Sequence, residues 1–148
     1  MKKYAGVDIV FVLIPHEDIE QDFERLDLID PAIGDQAGAL IQQLLDDPEL
    51  VDDLLRDGYG GTPRNPAPSA IFNVRTWGDA QRVGMNLWAL RDFELSLAGF
   101  EYRIVYAVFP RCEQIYILAI VERAWNYDLS HPISRRIVAT YRSLEEDL

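Results

Sequence analysis

The second half of the chain holds three apolar segments that alternate strictly. Asn86 to Phe93 sets Leu87, Ala89, Arg91 and Phe93 against Trp88, Leu90 and Asp92. Glu101 to Phe109 sets Tyr102, Ile104, Tyr106 and Val108 against Arg103, Val105, Ala107 and Phe109. Gln114 to Arg123 sets Ile115, Ile117, Ala119, Val121 and Arg123 against Tyr116, Leu118, Ile120 and Glu122. A period of two is the strand signature. Gly99 and Pro110-Arg111-Cys112-Glu113 are turn-sized links, so the three strands form an antiparallel meander. Both faces of this sheet are apolar, and both must be covered.

The first half supplies cover for one face. Val7 to Ile14 is β-branched, short and closed by Pro15, and reads as a buried strand. Ile19, Phe23 and Leu26 then mark one face of a short helix. Asp30-Pro31 and Asp47-Pro48 are helix starts, with aspartate capping free N–H groups and proline in the first turn. The first opens a helix to about Asp46 through Ile33, Ala37, Leu40, Ile41, Leu44 and Leu45. The second opens a shorter one carrying Leu50, Val51, Leu54 and Leu55. Residues 60–69 hold three prolines and form an exposed loop, Ile71 to Trp77 is a further strand, and 78–84 is a loop or helical turn. From Pro132, Ile133, Ile137, Tyr141 and Leu144 trace a last helix. The expectation is a single α+β domain over 1–148, with N-terminal helices on an antiparallel sheet, an insertion around 50–80 and a helical extension at 130–148. The second sheet face is left for the C-terminal helix, a partner chain or a second copy of this chain.

At 148 residues the chain can bury a core without staples. One cysteine, Cys112, excludes a disulfide framework and a Cys-rich zinc site. The apolar runs are too short to span a bilayer, and the start of the chain shows no signal-peptide pattern, so a cytoplasmic protein with no membrane role is expected.

Charge is the uneven quantity. The net charge is −11, with 14 basic against 25 acidic side chains. Taken whole, that opposes phosphate binding. Yet residues 1–57 hold 4 basic and 15 acidic side chains, whereas 58–148 hold 10 of each, every basic one an arginine. The acids of 17–57 lie on polar helix sides, as a solvated face or an acidic docking face.

Gly-rich phosphate loops, HExxH and GxSxG are absent. His16 and His131 are far apart in sequence and each adjoins proline, so no metal ligand pair is expected and no cofactor is implied. Cys112 lies in a turn with no base beside it. Arg91, Arg103 and Arg123 are more informative, because an arginine on an apolar strand must be paired or reach solvent. Two arrangements satisfy that: convergence on an anion such as phosphate, or separate salt bridges to Asp92, Glu101 or Glu122. Tyr127, four residues beyond Arg123, can stack on a base, move a proton, or close the core's edge.

Asn86-Leu87-Trp88-Ala89-Leu90-Arg91-Asp92, Glu101-Tyr102-Arg103-Ile104-Val105-Tyr106-Ala107-Val108 and Ile117-Leu118-Ala119-Ile120-Val121-Glu122-Arg123 with Tyr127 resemble, in order and spacing, the RelE/ParE superfamily of toxin–antitoxin toxins. Leu28-Ile29-Asp30-Pro31-Ala32-Ile33 leading into a long helix fits as well. The resemblance implies two N-terminal helices on an antiparallel sheet and a cognate antitoxin covering exposed apolar sheet. For a ribosome-dependent member it implies mRNA cleavage by the RNA's own 2′-hydroxyl. Arg91 and Arg103 would then orient phosphate, Arg123 would stabilise the developing charge, and Tyr127 would stack on a base or assist proton transfer. Relatives that inhibit DNA gyrase, or serve only as partner-binding modules, need no such chemistry. The chain departs from typical basic members in having no lysine after Lys3 and in placing Glu122 beside Arg123.

Overall fold

The computed structural model describes residues 10–148, together with the backbone of β1 (Lys3–Tyr4) and β2 (Val7–Asp8), a short antiparallel pair. Then follow β3 (Val12–Pro15), α1 (Ile19–Ile29), α2 (Pro31–Asp46), α3 (Pro48–Asp53), β4 (Phe72–Thr76), α4 (Gly78–Arg82), β5 (Leu87–Asp92), α5 (Phe93–Leu97), β6 (Tyr102–Phe109), β7 (Gln114–Glu122) and α6 (Pro132–Asp147). Single 3-10 turns stand at Pro110–Cys112 and Arg123–Trp125.

The five-stranded sheet runs β3-β7-β6-β5-β4. β4 to β7 are antiparallel, as the alternation requires, but β3 lies parallel to β7. Parallel neighbours need a long crossover, and here it is everything between them. The strand expected over 7–14 is also shorter. It comprises Val12–Pro15 at the sheet's edge, where Leu13 is buried and Val12 is 56% exposed. Residue 9 of that segment lies outside the described residues.

Both Asp-Pro signals act as expected. Asp30 Oδ1 accepts from the Ala32 N–H and Asp47 Oδ1 from the Glu49 N–H, each at 3.0 Å. The histidines do the same work. His16 Nδ1 accepts from the Asp18 N–H at 3.0 Å, and His131 Nδ1, at the start of α6, from the Ile133 N–H at 3.1 Å.

Helices cover both faces of the sheet. α1 to α3 pack Leu26, Ile33, Leu40, Leu44 and Leu54 on Ile104, Tyr106, Ile115 and Ile120. On the other side Ile137 and Tyr141 of α6, Trp77, Ala80 of α4 and Trp125 pack on Leu87, Val105, Ala107 and Val121. Of the covers open to the second face, the C-terminal helix is the one found there, with α4, Trp77 and Trp125 beside it.

The part of β7 that β3 leaves unpaired and the β4 edge at Val74 are also capped. β3 reaches only to Ile117 of β7. Beyond it Asp22 Oδ2 accepts from the Ile120 N–H (3.0 Å), Arg25 donates to the Ile120 carbonyl (2.6 Å) and Arg136 to the Leu118 carbonyl (3.2 Å). Asp22 is 0% exposed and is held by Arg136 through two bonds of 2.9 and 2.8 Å and by Arg25 at 2.8 Å. This acid is no part of a solvated face. At the opposite edge the Gly58 N–H donates to the Val74 carbonyl and the Val74 N–H to the Tyr59 carbonyl, at 2.9 and 3.0 Å.

Asp92 ends β5 and caps α5, accepting from the Glu94 N–H at 3.0 Å and from Gln36 Nε2 at 3.1 Å. Burial raises its carboxyl pKa above the ordinary aspartate value, against the lowering effect of those bonds. A raised acid binds its proton more tightly when folded. Its stabilising share is full below the unfolded pKa and is lost as pH rises through the folded value. In urea titrations, Asp92→Asn is expected to gain on the native protein between pH 4 and pH 7. An unchanged difference between the two proteins would contradict the burial argument.

Candidate functional site

β5 and β6 pair Leu90 with Ile104, so the next residues outward, Arg91 and Arg103, lie side by side across the two strands. β6 and β7 pair Arg103 with Val121, and the Arg123 N–H donates to the Glu101 carbonyl at 3.0 Å. β5, β6 and the 3-10 turn that follows β7 thus bring the three arginines to one end of the sheet. The apolar alternation explains the placement of Arg91 and Arg103: on the face that holds Ala89, Val105 and Val121, these positions are the first beyond the core.

Glu101 links two of them. Arg91 Nη2 donates to Glu101 Oε1 at 3.1 Å and lies 3.0 Å from Oε2, while Arg103 Nη1 lies 3.7 Å from Oε2. Arg91 Nε donates to Ser96 Oγ at 3.0 Å, and that hydroxyl lies 3.4 Å from Glu101 Oε2. All three charged side chains are partly buried, Arg91 at 24%, Arg103 at 18% and Glu101 at 30% exposure. Asp92 and Glu122, the other partners open to these arginines, take neither: Asp92 caps α5, and Glu122 is exposed.

Arg123 is exposed, and its guanidinium makes no hydrogen bond or ion pair with the described residues. The group carries two guanidiniums neutralised in part by one carboxylate and a third facing solvent. It is net cationic within an acidic protein. Converging guanidiniums with unspent N–H groups can grip a phosphate, and a carboxylate held among them can take a proton from a hydroxyl.

Tyr127 is not brought to this group. It sits at φ 56°, directly after Asn126 at φ 45°, and its ring packs 4.7 Å from Trp125 and 6.5 Å from Trp77. Trp77 Nε1 donates to the Tyr127 carbonyl at 3.0 Å. That leaves the ring closing the second core, and it makes no hydrogen bond with Arg91, Arg103 or Arg123. Glu101 had been legible only as one of several salt-bridge partners. Its place two residues before Arg103, hence on the same strand face, was the available signal.

A cavity of about 270 Å³ opens beside the group, lined by Thr62, Arg64, Arg91, Ser96 and Glu101 among others. A larger groove of about 640 Å³ beside α3 is lined by Asp47, Glu49, Asp53, Arg56 and Tyr59. Among the described residues no three histidine, cysteine or acidic side chains are grouped to hold a metal ion, and no helix is long and apolar enough to cross a membrane. Comparison with known proteins found no matching family model, curated protein or solved structure.

Proposed function

We propose that the chain is the toxin of a toxin–antitoxin pair and cleaves mRNA on the translating ribosome in the cytoplasm. The observation that carries this reading is the pairing of Arg91 and Arg103 with Glu101 at one end of the sheet, where the backbone of Arg123 also arrives with its side chain exposed. The two N-terminal helices on the sheet, which the resemblance to RelE/ParE toxins implies, support it as well.

In this reading Arg91 and Arg103 orient the scissile phosphate. Glu101 takes the proton of the 2′-hydroxyl as its oxygen bonds to phosphorus. Arg123 stabilises the charge that builds on the phosphate as the bond to the 5′-oxygen breaks, and the leaving oxygen takes up a proton from solvent. Stabilisation by a fixed donor of this kind contributes about 10²–10³-fold in rate. A cognate antitoxin neutralises the protein by covering the arginine end, because the apolar face is already occupied by α6.

Induced expression with mapping of mRNA 5′ ends tests the reading. The expected result is growth arrest with cuts inside translated codons, and cleavage lowered about 100-fold or more in Arg123→Ala and in Glu101→Gln. Arrest with intact mRNA would sink the nuclease reading.

A second reading has its own observation. Glu101 already takes an Arg91 donor, Arg103 Nη1 donates to the Tyr102 carbonyl at 3.2 Å, and the Tyr127 ring packs against the second core. A non-enzymatic module, directed at DNA gyrase or at another protein partner, fits that state. Arrest with a DNA-damage response, or no arrest at all, would favour it.

A further inference from the structure

The wall of the cavity beside Arg91 comes from residues 62–64, in a segment the strand pattern of the sheet does not require. That segment is well anchored. The Ala67 N–H donates to the Gly60 carbonyl at 2.8 Å, and Asn73 Nδ2 donates to the Gly61 carbonyl at 3.0 Å. Thr62 and Asn65 close a turn by two backbone bonds of 3.2 Å, and the Asn65 N–H also donates to Thr62 Oγ1 at 3.0 Å. Pro63 and Arg64 stand at the turn's centre, and proline at that first position has its φ set in advance.

Arg64 is exposed and makes no hydrogen bond or ion pair with the described residues. Across the cavity Arg91 spends Nε on Ser96 and Nη2 on Glu101, while Nη1 is unspent among the described residues. Two guanidiniums with donors to give thus line one small cavity, and the single carboxylate there is already shared by Arg91 and Arg103. Two guanidiniums in one cavity against a single carboxylate that a third also shares leave an excess of positive charge that suits an anion, and planar N–H forks suit a phosphate.

We infer that the cavity between Arg64 and Arg91 is a phosphate subsite, which holds the phosphate of a nucleotide next to the one that Arg91, Arg103 and Arg123 engage. This rests on the nucleic-acid reading of the sheet end but not on cleavage. The insertion would thereby lengthen the strand-binding track of a protein whose acidic half repels nucleic acid.

The test is fluorescence anisotropy with a 5′-labelled 2′-deoxy tetranucleotide, which has no 2′-hydroxyl and cannot be cut. The native chain is expected to bind it. Arg64→Gln should weaken binding about tenfold and lower the salt slope by about 0.7, the share of one phosphate contact on a single strand. Arg111→Gln removes another exposed arginine, remote from the cavity, and should change affinity less than twofold. Equal binding by native and Arg64→Gln protein, equal losses in both variants, or no binding by the native chain would each overturn the subsite. Displacement of the oligonucleotide by inorganic pyrophosphate at a concentration near the oligonucleotide's own Kd would also overturn it, by assigning the cavity to a free phosphate ligand. If mRNA stays uncut in cells while Arg64→Gln still loses binding, the nuclease reading fails and the subsite stands.

Discussion

Asp22→Ala is expected to destabilise the protein by about 3–5 kcal/mol, read as a drop in the urea midpoint with an unchanged slope. The magnitude follows from what the carboxylate holds. It is fully buried, neutralises Arg25 and Arg136, and satisfies the Ile120 N–H where β3 no longer pairs with β7. Removing it leaves two guanidiniums facing each other and an orphaned strand donor, and an uncompensated buried charge is the costly case. Asp22→Asn, which keeps an acceptor for Ile120 but loses the charge, should fall between the two. Arg136→Met should cost less than Asp22→Ala, since Arg25 still pairs with Asp22. A loss below about 1 kcal/mol in Asp22→Ala would mean that the cluster does not hold the sheet edge.

The second large effect is expected at Gly60. Its φ of +102° disfavours any side chain, and a Cβ built there would lie 2.1 Å from the Phe72 carbonyl oxygen and 2.8 Å from Asn73 Cα. Both obstacles are backbone of β4, which cannot yield without breaking its pairing with β5. Left-handed strain of about 1–2 kcal/mol and overpacking of about 1–3 kcal/mol together put Gly60→Ala near 3 kcal/mol or more. Gly58 is the control. It has a similar φ of +83° with nothing within 4 Å of its Cβ position, so Gly58→Ala should show the strain alone, about 1–2 kcal/mol. Equal losses at the two sites in thermal or urea melts would show that the close approach to β4 carries no energy.

Local rules carried the reading of the chain wherever a residue's role is decided by its neighbours in sequence. The alternation around Leu87–Asp92, Tyr102–Phe109 and Gln114–Glu122 and the Asp-Pro helix starts are of that kind. What escaped was decided across space. Asp22 reads as one more acid on a helix flank, and only the shortness of β3 and the approach of Arg136 from α6, 114 residues later, make it a buried hub. Phe93 fitted the end of the alternating strand, yet Asp92 ends that strand and caps a short helix over Phe93–Leu97. The arginines were legible as an oddity on apolar strands. That Arg91 and Arg103 share Glu101 required the register, which short apolar segments leave open. Of the roles open to Tyr127, closing the core's edge is the one its packing shows: two consecutive positive φ angles after the sheet swing it onto Trp77 and Trp125.

The parallel pairing of β3 with β7 also sets a schedule for biosynthesis. Val12 meets Gln114, so the first strand finds its neighbour only after about 100 further residues have been made, roughly 5–20 s of translation. Until then the apolar sides of α1 to α3 have no sheet to bury against. A nascent chain in that condition is a substrate for chaperones and proteases.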